Sequence, residues 1–161
     1  RGDTTVLPIM VKLARGLGIP MTGGGGNIEA TTHVEHAVDG IVGALGCTVS
    51  GGKAYLILDG FEVTWKQFMT GIVEAAGTRA KFLRVPKWLA VPSAWALDHA
   101  AGALGLPVPL AYFGVRNAMT SRRFRPTRAA ADFGYAPRIG WEEGLADLAA
   151  WCRERSAART G

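Results

Sequence analysis

Apolar positions recur along the chain in blocks of helical period, punctuated by glycine and proline. Leu7, Met10, Val11, Ala14 and Leu17 make one face of a first helix, which Thr4 or Thr5 caps and Gly16 and Gly18 end. Ile19, Pro20 and Met21 read as a short extended piece running into a flexible turn at Gly23-Gly24-Gly25-Gly26-Asn27. Residues 31–34 read as a short strand or extended segment, and 35–45 as a helix with Val38, Ile41, Val42 and Leu45 on one face. The run Lys53-Ala54-Tyr55-Leu56-Ile57-Leu58 is the best strand pattern. It is almost continuously apolar between Gly51-Gly52 and Asp59-Gly60, as expected of a strand buried on both faces. Thr64 caps a helix that reaches Ala76 and stops at Gly77. Residues 81–85 alternate like a short strand, and Pro86 opens an apolar helical region to about Leu104. Further helices are predicted over 110–119, from Pro126 to Gly134, and over 141–157, the last with Leu145, Leu148 and Trp151 turned inward.

Strands are few and scattered among helices, so the pattern predicts a mixed, helix-rich α/β piece whose main sheet lies elsewhere. A chain of 161 residues, 48% apolar and 19% charged, has the composition of a globular domain. The apolar stretch 88–106 comes nearest to a membrane span but is interrupted by Pro92, Asp98 and His99, so no membrane partner is expected. Without an export signal, and with Cys47 and Cys152 as the only cysteines, a cytoplasmic protein with reduced thiols is expected. Arg1 in place of a starting Met predicts that the piece was cut from something longer. The net charge is +5, and its densest cluster is Arg122, Arg123, Arg125 and Arg128 around Phe124. No nucleic-acid motif accompanies it, so a solvated face or an anion-facing pocket wall is the expectation and a nucleic-acid partner is not.

Several chemical signals fail on spacing. The glycine run at 23–26 has neither the three spaced glycines of a dinucleotide turn nor a following Lys-Ser/Thr, so no cofactor-binding residue is assigned. His33, Glu35, His36 and Asp39 suggest a metal cluster, but the His-Glu-x-x-His spacing and a third strong ligand are absent. No metal ligand is assigned, and Glu35 suits a helix N-terminus.

Read in order, the remaining motifs resemble the downstream half of the extended short-chain dehydrogenase/reductases, the epimerase/dehydratase superfamily. Arg1-Gly2-Asp3-Thr4-Thr5-Val6-Leu7-Pro8 resembles the turn and helix after the family's sixth strand. Gly25-Gly26-Asn27 with Thr32-His33-Val34-Glu35-His36 resembles its Gly-x-Asn…Thr-Tyr/Phe/His-Val-x-Asn stretch, although His36 stands where Asn is usual. Gly52 to Ile57 resembles the next strand, and Trp65-Lys66-Gln67-Phe68 the opening of the following helix. Val85-Pro86-Lys87-Trp88-Leu89 is similar to a segment of the 3β-hydroxysteroid and sterol dehydrogenase branch. Arg128-Ala129, then Phe133-Gly134-Tyr135 with Pro137, and Glu143-Gly144-Leu145 resemble the closing motif, with Arg125 where many members carry Asp.

The resemblance implies that residues 1–161 form a C-terminal substrate-binding lobe. The Rossmann half holding NAD or NADP and the catalytic pair would be absent from the chain. Such enzymes use a Tyr followed four positions later by a Lys that lowers the phenol pKa. Here Tyr55 is followed by Asp59, Tyr112 by Arg116 and Tyr135 by Ile139, so no catalytic residue is assigned. The expected function is that of an NAD(P)-dependent oxidoreductase acting on a hydroxyl or keto group of a small molecule. Trp88, Leu89, Trp95, Leu97, Leu104, Leu106, Tyr112 and Phe113 would suit an apolar or steroid-like substrate, with plain core packing the expectation for most of them. The alternatives are a sugar-nucleotide epimerase or dehydratase lobe, whose diphosphate would meet the Arg122–Arg128 cluster, and a non-catalytic dinucleotide-binding regulator. By analogy with the family cleft, Asp3, Thr4, Thr5, Thr31, Thr32, His33 and Arg123 are the candidate substrate-binding residues. A homodimer is compatible with this reading.

Overall fold

The computed structural model describes residues 6–49, 51–105 and 111–160. Helix α1 (Val6–Arg15) leads into β1 (Ile19–Met21), a 3₁₀ turn (Gly23–Gly25) and β2 (Ile28–Glu29). Helix α2 (Val34–Gly46) is followed, after a long extended stretch, by β3 (Val63–Thr64) and α3 (Trp65–Ala75). Strand β4 (Phe82–Arg84) precedes α4 (Lys87–Ala103), α5 (Ala111–Ala118), α6 (Thr127–Phe133) and α7 (Trp141–Thr160).

The strands form two small pairs. β1 runs parallel to β4 with Ile19 opposite Phe82 and Met21 opposite Arg84, and β2 is antiparallel to β3 with Ile28 opposite Thr64. Ala14, Ile19, Met21, Trp65 and Val73 are buried together where α1, β1 and α3 meet, and Met10, Leu13, Met69 and Phe82 pack onto them. The Thr64 cap is a full capping box: its hydroxyl accepts from the Gln67 N–H at 3.2 Å, and the Gln67 side chain accepts from the Thr64 N–H at 2.9 Å. The glycine turn is tightly packed: Gly25 has a φ of 68°, and a Cβ there would lie 2.9 Å from both Met21 Sδ and Lys66 Cβ. Only glycine fits.

Three expectations change. Residues 53–58 are extended but pair with no strand among the described residues, and Leu56 is half exposed. Their carbonyls accept from side chains instead: Ala54 O from Arg128 (3.1 Å), Ile57 O from Thr32 (2.7 Å) and Leu58 O from Tyr135 (2.8 Å). Residues 31–33 belong to no strand, His33 has extended backbone as the N-cap of α2, and Val34 already begins the helix, the strand lying earlier at β2. In α2 the inward face is His36, Gly40 and Gly43, one helical stripe, and the Val38, Ile41, Val42 and Leu45 stripe is exposed. A Cβ on Gly40 would come 2.5 Å from Ile57 Cγ1, and one on Gly43 2.5 Å from Phe133 Cδ2, so the small face brings α2 close to its neighbours. The larger stripe meets nothing that buries it among the described residues.

Candidate functional site

Asp59 joins three segments. Its Oδ1 accepts the His33 N–H at 2.7 Å and lies 2.6 Å from His36 Nδ1. His36 is fully buried, and its Nε2 accepts the backbone N–H groups of Arg138 and Ile139, each at 3.0 Å. Two N–H donors on Nε2 place the ring proton on Nδ1, which donates it to Asp59. The Arg138 guanidinium meets Asp39 through Nε (2.9 Å) and Nη2 (3.3 Å), and this contact holds the Asp39 carboxyl below the usual carboxylate range. His36, expected near the substrate side, is therefore a saturated structural residue, and its apparent metal partner Asp39 is committed to Arg138.

Beside this hub opens an apolar cleft of about 130 Å³, between the 31–33 turn, Asp59, Phe61, α3 and the first turns of α7. Phe68 and Trp141 form its wall, with Phe61 against Trp141 at 5.7 Å between ring centroids. Thr31, Thr32 and His33 all line it. The two threonines differ in use. The Thr32 hydroxyl is spent on Ile57 O, whereas Thr31 Oγ1 is buried and has no hydrogen-bond partner among the described residues. That oxygen is closed to solvent, so a ligand or an ordered water would reach it only if the 31–33 segment shifted. His33 Nδ1 accepts from the Glu35 N–H at 3.3 Å, so Nε2 carries the proton on the Gly144 side of the cleft.

The other candidates lie apart. Arg123 is exposed, 3.3 Å from Glu62, and does not line the cleft. Asp3, Thr4 and Thr5 fall outside the described residues. Of the apolar residues suggested for a steroid-like substrate, Trp88, Leu89, Trp95, Leu97, Leu104 and Phe113 are exposed, Tyr112 and Phe113 border a separate groove on α5, and Leu106 falls outside the described residues. Sequence reasoning missed Asp59, Arg138 and Asp132 as organising residues. Asp59 is legible only as half of a turn, and the partners of the other two are 99 and 77 residues away.

A Tyr–Lys neighbourhood does exist around Asp132. Tyr55 OH donates to Asp132 Oδ2 at 2.7 Å, and Lys53 Nζ to the same oxygen at 2.8 Å. Burial, reinforced by the hydrogen bond to this carboxylate, pushes the Tyr55 phenol up to about 12. A dehydrogenase tyrosine needs the opposite shift. This cluster ties the 53–58 segment to α6. The glycine turn leads into β2, and the Lys87 side chain fills the space beside Gly23.

No family model matches the chain. Among curated proteins it is 29% identical over 157 residues to 3β-hydroxysteroid-dehydrogenase/decarboxylase isoform 1 of Arabidopsis thaliana, covering 89% of this chain and 36% of that protein. It is 28% identical over 160 residues to a 2-alkyl-3-oxoalkanoate reductase of Stenotrophomonas maltophilia, covering 92% and 47%. A dTDP-glucose 4,6-dehydratase of an Actinoplanes species is 26% identical over 150 residues. Solved structures share the fold. An epimerase of Methanothermobacter thermautotrophicus superposes with a TM-score of 0.64 at 20% identity over 96% of this chain and 38% of its own. The UDP-glucose 4-epimerase of Thermotoga maritima gives 0.59 at 18% identity over 96% and 41%. The chain thus spans between 28% and 47% of the curated relatives' length.

Proposed function

We propose, for a chain whose homologues are 3β-hydroxysteroid dehydrogenase/decarboxylases and epimerase/dehydratases of the short-chain dehydrogenase type, that it is the substrate-binding lobe of an NAD(P)-dependent oxidoreductase. The reaction is exchange of a hydride at a hydroxyl or keto carbon of an apolar, steroid-like substrate. The observation that carries this reading is the apolar cleft itself, walled by Phe61, Phe68 and Trp141, with Thr31 and His33 in its lining. At about 130 Å³ it is smaller than the ~300 Å³ lower bound of ordinary ligand pockets, so it suits one end of a substrate whose remainder is covered by another unit. The unpaired 53–58 segment supports a neighbouring sheet as that unit, and the cofactor and the Tyr–Lys pair would reside there.

The test begins with the chain alone. Calorimetry against NAD⁺ and NADP⁺ should give no saturable heat at millimolar cofactor, and a micromolar Kd would sink the assignment. Co-expressed with the nucleotide-binding half of the Arabidopsis relative, the chain should support NAD(P)-dependent oxidation of a 3β-hydroxysteroid. Thr31→Val should then raise KM with little change in kcat. A sugar-nucleotide substrate is favoured by one observation, the groove where Arg116, Asn117, Thr120 and Arg122 converge on α5. Turnover of a UDP-sugar in place of the steroid would select that reading.

A further inference from the structure

We infer that the aromatic cleft selects an alcohol: one hydroxyl-bearing ring enters it, donates to Asp59 Oδ2 and accepts from His33 Nε2–H. This assignment rests on the proposed role of the cleft as a substrate site and specifies the group that the site would choose. Size sets the first limit. Apolar cavities of about 150 Å³ take up a benzene molecule. The cleft of about 130 Å³ walled by Phe61, Phe68, Ile72, Trp141 and Leu145 therefore suits a single six-membered ring.

Polar atoms set the second. Asp59 lines the cleft with a side chain only 3% exposed. Its Oδ1 takes both bonds of the hub, from the His33 N–H and from His36 Nδ1, and Oδ2 has no bond among the described residues. A carboxylate oxygen so enclosed and without a donor favours an entering O–H. His33 supplies the complementary group. Its Nδ1 is committed to the Glu35 N–H and its backbone N–H to Asp59, while Nε2 has no partner among the described residues. The same bonds that hold the two side chains in place leave one acceptor and one donor open, and a hydroxyl satisfies both at once. A ketone would satisfy only His33. A carboxylate or phosphate would meet Asp59 as a like charge. Beyond the cleft lies a groove of about 420 Å³ that shares His33, Phe68, Gly144 and Leu148 with it. It carries Asp147 and Glu35, the latter 4.0 Å from Arg138, so it offers an anionic ligand no better entrance.

Cyclohexanol, cyclohexanone, cyclohexylammonium and fluorobenzene are the probes, each titrated into the chain while its histidine rings are followed by heteronuclear NMR. Cyclohexanol should bind saturably and move the His33 Nε2 signal, and cyclohexanone should bind about tenfold more weakly. Fluorobenzene, which needs neither polar atom, reports the apolar space alone. His33→Phe keeps a ring in the wall, and His33→Ser keeps a side-chain oxygen to cap α2, so at least one should fold as wild type by circular dichroism. In the folded variant cyclohexanol affinity should fall by about tenfold, with fluorobenzene affinity within about twofold of wild type. A parallel loss of both probes would make His33 a merely structural residue and overturn the proposal. So would absence of saturable cyclohexanol binding, cyclohexanone binding as tightly as the alcohol, or cyclohexylammonium binding more tightly than either. None of these readouts involves a cofactor, so they stand or fall apart from the calorimetry that tests the dehydrogenase reading.

Discussion

His36 accounts for more of the local architecture than any other single residue. Replacing it with Ala leaves Asp59 and two backbone N–H groups buried without their partner. We expect a loss of about 3 kcal/mol or more in urea unfolding. His36→Asn, which provides the residue usual in the resembled family, should recover part of the loss, and a change below about 1 kcal/mol for His36→Ala would remove the ring from the structural hub. The Tyr55–Lys53–Asp132 cluster makes a pH prediction at the same scale. The folded Tyr55 phenol, raised to about 12, lies above its unfolded value, so its stabilisation is complete below about pH 10 and is lost as pH rises through 12. Asp132 is lowered, first by the Lys53 hydrogen bond and then by Tyr55, and Asp39 by Arg138. Their contributions are present above the ordinary carboxylate range and disappear as pH falls through the depressed folded values. Unfolding monitored against pH should show both flanks. Tyr55→Phe should shrink the alkaline flank, to which the raised Tyr135 phenol also contributes, and weaken the acid one by the part of the Asp132 shift that Tyr55 supplies; an unaltered alkaline flank would contradict the assigned shift.

Helix contacts in this chain rest on glycine faces as much as on apolar ones, which is why helical periodicity misjudged α2. The same device joins α3 to α7. A Cβ at Gly71 would lie 2.6 Å from Trp141 Cζ2 and 2.9 Å from Leu145 Cδ1, both of them cleft residues. Gly71→Ala should cost about 1–3 kcal/mol and deform the cleft. Gly102, inside α4 with open space around its Cβ position, is the control: Gly102→Ala should stabilise by about 0.5–1 kcal/mol through helix propensity alone. Thermal unfolding of both variants distinguishes the cases, and equal shifts of one sign would refute the packing argument.

Among the described residues, most of the exposed large apolar side chains fall into two groups, with Val34, Val49, Leu83 and Phe124 outside them. One lies on and just beyond α4 and on α5. The other comprises Val6, Ile9 and Leu17 on and beyond α1, Leu56 of the extended stretch, and the outward stripe of α2. This second group is what a lobe made to sit against a sheet would leave open. The isolated chain should therefore bind a dye specific for exposed apolar surface and self-associate with concentration. Ile41→Lys with Leu45→Lys should lessen both effects, and a strictly monomeric wild-type chain that binds no dye would argue against an unpartnered face.

The sequence by itself determined the helices, the Thr64 capping box, the extended piece at Ile19–Met21, the short strand at Phe82–Arg84, and a motif order similar to that of the short-chain dehydrogenases. Each of these depends on spacing or caps within a few residues, or on motif order, and all of that is written along the chain. Tertiary structure decided the rest. Residues 53–58 have a strand pattern, but a strand needs a neighbour to share its ladder, and none is present among the described residues. His36 stands where the resembled family usually has Asn, and only the fold shows Asp59 and the 138–139 backbone closing around it from 23 and 102 residues away. Thr31 and Thr32 are indistinguishable as letters, yet one hydroxyl is consumed by Ile57 O and the other is left in the cleft wall. Hydrogen-bond partners remote in sequence leave no periodicity to read, so only the fold reveals which polar groups are already satisfied and which await a ligand.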